Sequence, residues 1–317
     1  MLVNDLARHV AGLQYEHLPP DVVAAIRLRI LDVIGAGIAG FRLQAHQNLL
    51  PLLGTTPEAS VWGAGLALPL RDAALVNSFI AHSTYLEDGS RYTGGHPSSV
   101  VVPAALALAE TRHASGRDLI VAVTAGYEVF LRLGRAIYPS TVVRGFQSTA
   151  VLGAVSAAAA SASLLRLDAQ TTKNALAIAC NLGVGLKEAL KSSDSQPIQV
   201  GRSVEGGIFA AQYAALGATG ADAIIEEGFL RAFSTTTDGS GIVAGLGTQF
   251  RVAETYLKVH AGCRGNHAPI DVARETMQRH GAAAAQIAEL VMHVDTVTYA
   301  AEVHEPRNGD QAQFSIA

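Results

Sequence analysis

The stretch LPPDVVAAIRLRILDVIGAGIAG (residues 18–40) admits two folds, and its reading decides between them. Its last six residues match G-x-G-x-x-G, the glycine pattern of a dinucleotide-binding turn. That turn needs a strand before it and a helix opening after it, so that the helix N-terminus meets the pyrophosphate. Here the order is reversed. Pro20 and Asp21 mark a helix start, and Val22, Ile26, Ile30 and Ile34 recur along one helical face. A helix therefore runs into the glycines and ends there. The glycines then serve close helix packing or a C-cap, and no nicotinamide cofactor is expected.

Working outward, the same period recurs. Leu6, Val10 and Leu13 mark a first helix, and another begins near Arg71–Asp72. The polar stretch STYLEDGSRYTGGHPSSV (83–100) ends it. SVVVPAALALAETRHASG restarts a helix, with Pro103 near its beginning and Gly116 beyond its end. RDLIVAVTAGYEVFLRLGRAI is a further long helix and YPSTVVRGFQST a loop. A helical hairpin follows, with Asp168 as the N-cap of its second arm. Near residue 240 the texture changes. QFRVAETYLKVHAG and ELVMHVDTVTYAAEV alternate as strands do, with the helix HAPIDVARETMQRHG between them. The expectation is a mostly α protein: a large all-helical domain over 1–240 and a smaller α+β lid domain over 241–317.

Composition narrows the function. Of 317 residues, 49% are hydrophobic and 16% charged, and mean hydropathy is +0.26. Such a chain packs a large core or hides surface in an oligomer. A net charge of -4 carries no basic excess for nucleic acid. Two cysteines, Cys180 and Cys263, make no disulfide framework and suit a reducing setting. The start MLVNDLARHV has no basic segment followed by an apolar core. The run TAVLGAVSAAAASASLL (149–165) is too short and too rich in Ala and Ser for a membrane span. These features point to the cytoplasm, with no membrane partner.

Polar chemistry is gathered in four clusters. The first holds Glu87, Asp88, Arg91, Tyr92 and His96, and the second Arg144 and Gln147. The third holds Lys187, Lys191, Gln196 and Arg202, and the fourth Lys258, His260, Cys263, Arg264, His267 and Asp271. Polar breaks in an apolar chain are natural walls of an active site. Cations in three of them suit an anionic, carboxylate-bearing ligand, and a His beside acids suits proton transfer at carbon. Plainer readings exist: His96 as a simple hydrogen-bonding residue, Glu87 and Asp88 as a surface pair, Lys187 and Lys191 as a solvated helix face. No CxxC or HExxH spacing supports a metal.

Several motifs together resemble the MmgE/PrpD family. They are YEHLPPDVVAAIRLRILDVIGAGIAG, VWGAGLALPLRDAALVNSFIAH, EDG…GHPSSVVVPAALALAE, GFQSTAVLGAVSAAAA, VGRSVEGG and KVHAGCRGNHAPID, in order along the chain. The resemblance implies an all-helical domain plus an α+β lid, a site between them, and a homodimer. It implies reactions through an enolate-like state next to a carboxylate, without metal or organic cofactor. His96 matches the family's GHP histidine and Asp88 its acidic loop. Lys258, Arg264 and His267 match the lid-hinge pattern, Arg202 the GR after the central loop, and Tyr299 a lid tyrosine. Three positions depart: Tyr85 or Leu86 stands for the first acid, Gln147 for a histidine and Gln196 for a lysine. The family also continues beyond QFS, so either the chain is shortened and its lid incomplete, or another chain supplies that part, and oligomerisation is expected to cover the exposed apolar surface.

The expected function is a cofactor-independent lyase or isomerase on a small carboxylate, with a diverged substrate. His96 would be the acid–base, Asp88 would orient it or share its proton, and His267 would be a second acid–base. Arg91, Gln147, Gln196, Arg202, Lys258, Arg264 and Tyr299 would bind substrate. The rival expectation is a diverged scaffold that binds an anionic metabolite or a partner chain without turnover.

Overall fold

The structure is a computed structural model and describes residues 1–192, 194–293 and 303–316. It is mostly α. Helix α1 (Leu2–Gly12) buries Val3, Leu6, Ala7 and Val10. Helix α2 (Pro20–Arg42) takes Pro20 at its first turn, where a missing N–H costs nothing. The glycines do not end it. The helix runs through all three to Arg42, and Gly37 and Gly40 lie on its buried side. A Cβ on Gly40 would overlap the Ile80 carbonyl oxygen, and one on Gly37 would sit 2.6 Å from the Trp62 ring. The literal dinucleotide motif is thus a helix-packing notch. Beside it, β1 (Ala59–Ser60) and β2 (Ala67–Leu68) form a short antiparallel pair.

Helix α3 (Leu70–Ser83) is buried over most of its length, and the polar stretch after it contains β3 (Gly89–Ser90). Helix α4 (Ser98–Arg112) carries Pro103 one turn inside and ends on His113 in the left-handed region. Gly116 does not follow that helix as a stop. It is the first residue of α5 (Gly116–Ile137), which Ser115 and Asp118 start with a reciprocal capping box. The expected loop after α5 holds one helical turn, α6 (Ser140–Val143).

Helix α7 (Ser148–Leu164) lies at the centre, packed against α4, α5, α8 (Ala169–Ala179) and α9 (Ser195–Ala215). Its Ala, Ser and Gly residues let these backbones approach. The Asp168 side chain caps α8 by accepting from Thr171 N at 2.7 Å. Among the described residues no helix is long and apolar enough to cross a membrane. The third polar cluster is a break only in part: Lys187 and Lys191 lie in the connection between α8 and α9, whereas Gln196 and Arg202 lie within the continuous helix α9.

Two further short helices, α10 (Arg231–Phe233) and α11 (Ser240–Val243), lead into the last part of the chain. There Arg132 of α5, fully buried, donates to the carbonyls of Ile242, Ala244, Gly245 and Gln249 at 2.8–3.3 Å. Its partner Glu128 accepts from Arg251 N. These bonds deliver β4 (Thr255–Tyr256), which pairs antiparallel with β3. The expected strand around it is only these two residues, because β3 offers only two residues to pair with. Helix α12 (His267–His280) forms as expected. Residues 289–293 have no regular structure, and the rest of the second expected strand falls almost wholly outside the described residues.

Candidate active site

The turn between α3 and α4 is folded inward, so its two acids and His96 are buried while Arg91 and Tyr92 stay exposed. Tyr85 adopts a positive φ of 50°, which swings the chain back under the helix ends. Glu87 and Asp88 are fully buried, and so is His82 at the end of α3. Each has a defined partner. Asp88 accepts from Ser98 N and Tyr127 Oη, both at 3.0 Å, with Arg29 Nε at 3.5 Å. Arg29 also donates to Thr255, tying this turn to β4. Glu87 Oε1 lies 2.5 Å from His82 Nδ1 and 3.7 Å from His96 Nδ1.

The hydrogen bonds assign the histidine tautomers. The His96 Nδ1 contact is the Asp88 backbone carbonyl at 2.8 Å, which can only accept. Nδ1 therefore carries the proton, and Nε2 is the basic nitrogen of the neutral ring. For His82, Nδ1 donates to Glu87, and Nε2 accepts from the Gln147 amide nitrogen at 3.3 Å. Gln147 is held in this orientation because its Oε1 accepts from Ala150 N at 2.7 Å.

Burial and charge pull in different directions here. Burial alone would raise the Glu87 carboxyl, but His82, His96 and Lys258 hold it at about 2. Burial pushes Asp88 up, against Ser98, Arg29 and Tyr127. Burial and the Lys258 ammonium push His96 down to about 3, so its ring is neutral across physiological pH. Lys258 is itself lowered by burial. It donates to the Tyr85 carbonyl at 2.7 Å and lies 4.4 Å from that ring's centre.

His96 forms part of the wall of a cavity of about 450 Å³. Tyr85, Gln147 and Ser148 continue that wall, Tyr256, Cys263 and Phe314 lie on it, and Arg91, Lys187 and Arg264 bring positive charge. Phe314 closes edge-on to Tyr85, ring centres 4.5 Å apart. Among the described residues, no group of three His, Cys, Asp or Glu side chains is placed to hold a metal ion.

The expected residues are brought together unevenly. His96, Arg91, Gln147 and Arg264 line the cavity. Asp88 and Lys258 are buried behind it. Asp88 touches His96 through its backbone carbonyl, so the nearest carboxylate to His96 is that of Glu87. His267 does not line the cavity. It is buried at the start of α12, its ring 5.1 Å from His260, and burial with nearby Arg264 and Lys258 lowers it to about 4. Arg202 lies on the exposed face of α9 beside Glu205 and does not line this cavity, because the helix continues where a loop was expected. Gln196 is buried on α9 away from the cavity wall. Tyr299 lies outside the described residues.

The sequence singled out neither His82, Ser148 nor Tyr256; Lys187 stood in the third cationic cluster, with a solvated helix face as its plainer reading. His82 precedes Glu87 by five residues, a spacing that faces nothing on a helix. Only the turn at Tyr85 brings the pair into contact.

A family model described as the MmgE/PrpD N-terminal domain matches residues 4–240. The chain is similar to the cis-aconitate decarboxylase-like protein oryM of Aspergillus oryzae, 28% identical over 296 residues. That match covers 87% of this chain and 61% of the relative. It is similar to the cis-aconitate decarboxylase of Aspergillus terreus, 28% identical over 297 residues, covering 87% and 60%. It is also similar to the cis-aconitate decarboxylase of Homo sapiens, 30% identical over 234 residues, covering 71% and 48%. The chain thus spans between about half and three-fifths of the length of these relatives.

Proposed function

The chain belongs to the MmgE/PrpD family, and from that premise we propose that it is a cofactor-independent lyase acting next to a carboxylate. Carboxy-lyase chemistry is the first choice, because the relatives named above are cis-aconitate decarboxylases. Water loss and isomerisation are other exits from the same enolate-like state. One observation carries the reading: a neutral His96, its Nδ1 proton committed to a backbone carbonyl, stands in a cavity walled by three cations.

The cations would hold the substrate carboxylates and stabilise negative charge as it develops. A bound polyanion also raises the affinity of His96 Nε2 for a proton, offsetting the pull of Lys258. In a decarboxylation, the C–CO2 bond breaks and its electron pair passes into the adjoining carboxylate-conjugated system. The protonated Nε2 then returns a proton to carbon. In a dehydration or isomerisation, Nε2 first takes a proton from the carbon beside the carboxylate. Residues 241–317 would act as a lid that supplies Lys258, Arg264 and His267. The assembly would be a homodimer, for which Leu28, Leu31 and Ile38 offer an exposed apolar strip on α2.

The test is turnover of cis-aconitate and 2-methylcitrate, followed by proton NMR, in wild type and His96→Ala. Loss of a general acid–base is worth about 10²–10⁴ in rate. Undiminished turnover in the variant would refute the assignment. A second reading, a scaffold that binds an anion without turnover, is favoured by Gln147, an amide that cannot move a proton and is locked between Ala150 and His82. Binding without turnover across a carboxylate panel would select it.

A further inference from the structure

The first turn of α7 opens onto the same cavity, and we propose that it is a carboxylate-binding subsite in which Ser148 is the side-chain donor. This rests on the reading that the cavity takes a carboxylate-bearing ligand, and it adds where one of those groups sits. Helix α7 has 17 residues, and its start carries the positive end of the helix dipole. The first N–H groups of a helix have no carbonyl a turn earlier to bond. Gln147 answers one of them, at Ala150, and its amide nitrogen is committed to His82.

Ser148 is the next residue. It is 1% exposed, it lines the cavity, and its Oγ has no hydrogen-bond partner among the described residues. A buried hydroxyl left unpaired is a standing penalty, unlike one that has found a carbonyl. Ser156, two turns along, shows the ordinary solution by donating to Leu152 O at 2.8 Å. Thr149 is already used, since its Oγ1 accepts from His96 N at 3.1 Å. That bond fixes the segment carrying His96 against the start of α7. Gly95 permits the approach, because a Cβ there would meet Phe130 Cζ at 2.8 Å and Thr149 N at 3.4 Å. The result is a directional donor at a positive helix end, flanked by His96, on a wall that also bears Lys187 and Arg264. A carboxylate oxygen accepts from such a hydroxyl, and a neutral ligand would forgo the dipole.

The test compares Ser148→Ala with Ser161→Ala by calorimetric titration, using cis-aconitate and propane-1,2,3-tricarboxylate as probes. Ser161 is on the same helix, fully buried and unpartnered at Oγ among the described residues, but does not line this cavity. The expected result is a Kd raised about tenfold or more in Ser148→Ala, the scale of a hydrogen bond to a charged group. Ser161→Ala should bind as wild type does. The unliganded melting temperature of Ser148→Ala should not fall, because the hydroxyl it removes has no partner. Binding by Ser148→Ala within twofold of wild type overturns the subsite while leaving the carboxylate reading intact. Equal weakening in both variants overturns it as well, since that marks a general disturbance of α7. If the wild-type protein binds neither probe, the functional reading fails and the subsite with it.

Discussion

Replacing Glu87 by Gln isolates the charge on which the buried turn depends. The glutamine keeps an oxygen for the His82 Nδ1 donor and nearly the same volume, so the main loss is the negative charge facing His82, His96 and Lys258. A carboxyl held at about 2 rather than at 4.5 favours its ionised form strongly. At pH 7 the cation facing this carboxylate is Lys258, and breaking such a buried pair from one side costs about 3–5 kcal/mol in general. The sign of the pH dependence follows. The folded value lies below the unfolded one, so the stabilisation is complete above pH 4.5 and is lost as pH falls toward 2. Urea unfolding of wild type and Glu87→Gln, followed by circular dichroism from pH 7 to pH 3, measures the gap. It should be about 3–5 kcal/mol at pH 7 and should narrow on acidification. A gap below about 1 kcal/mol at pH 7, or one that widens in acid, would refute the charge assignment.

The glycines of α2 make a paired prediction: Gly40→Ala should cost about 1–3 kcal/mol through overlap with Ile80, whereas Gly35→Ala, with open space around it, should add about 0.5–1 kcal/mol. Thermal unfolding of the two variants reads the difference. Arg132→Met should cost about 3–5 kcal/mol by taking the guanidinium from the buried Glu128 carboxylate. It should also free the segment 242–249, seen as faster proteolysis there. In ¹⁵N-histidine spectra, His96 should remain the neutral Nδ1–H tautomer from pH 8 to pH 5, as burial and Lys258 hold it near 3. Alkylation of Cys263 should slow when propane-1,2,3-tricarboxylate is bound, since the thiol is on the cavity wall.

Much of the fold is local and could be read. The period of α1 and α2, the Asp168 cap and the small-residue run of α7 all stand where the pattern placed them. The misreadings share one cause. Polar residues within 195–202 looked like a loop, yet α9 carries them on two faces, Arg202 outward and Gln196 inward. Glycines 35–40 looked like an end, yet the packing of α3 needs them inside a helix. Composition reports polarity, and cannot say whether a polar residue interrupts a helix or decorates it.

The sequence by itself determined the mostly helical architecture, the family, and the stretch where acids and histidines gather, since each is carried by residues close together in the chain. The tertiary structure decided which groups meet. Glu87 faces His82 only because the chain turns at Tyr85. Asp88 serves His96 through a carbonyl while its carboxylate serves Ser98, Tyr127 and Arg29. Ser148 is a candidate ligand donor only because the start of α7 reaches the cavity with its hydroxyl unpaired among the described residues. Hydrogen bonds act over about 3 Å and depend on angle, so pairings between distant segments are properties of the packed backbone, which no local pattern in the chain encodes.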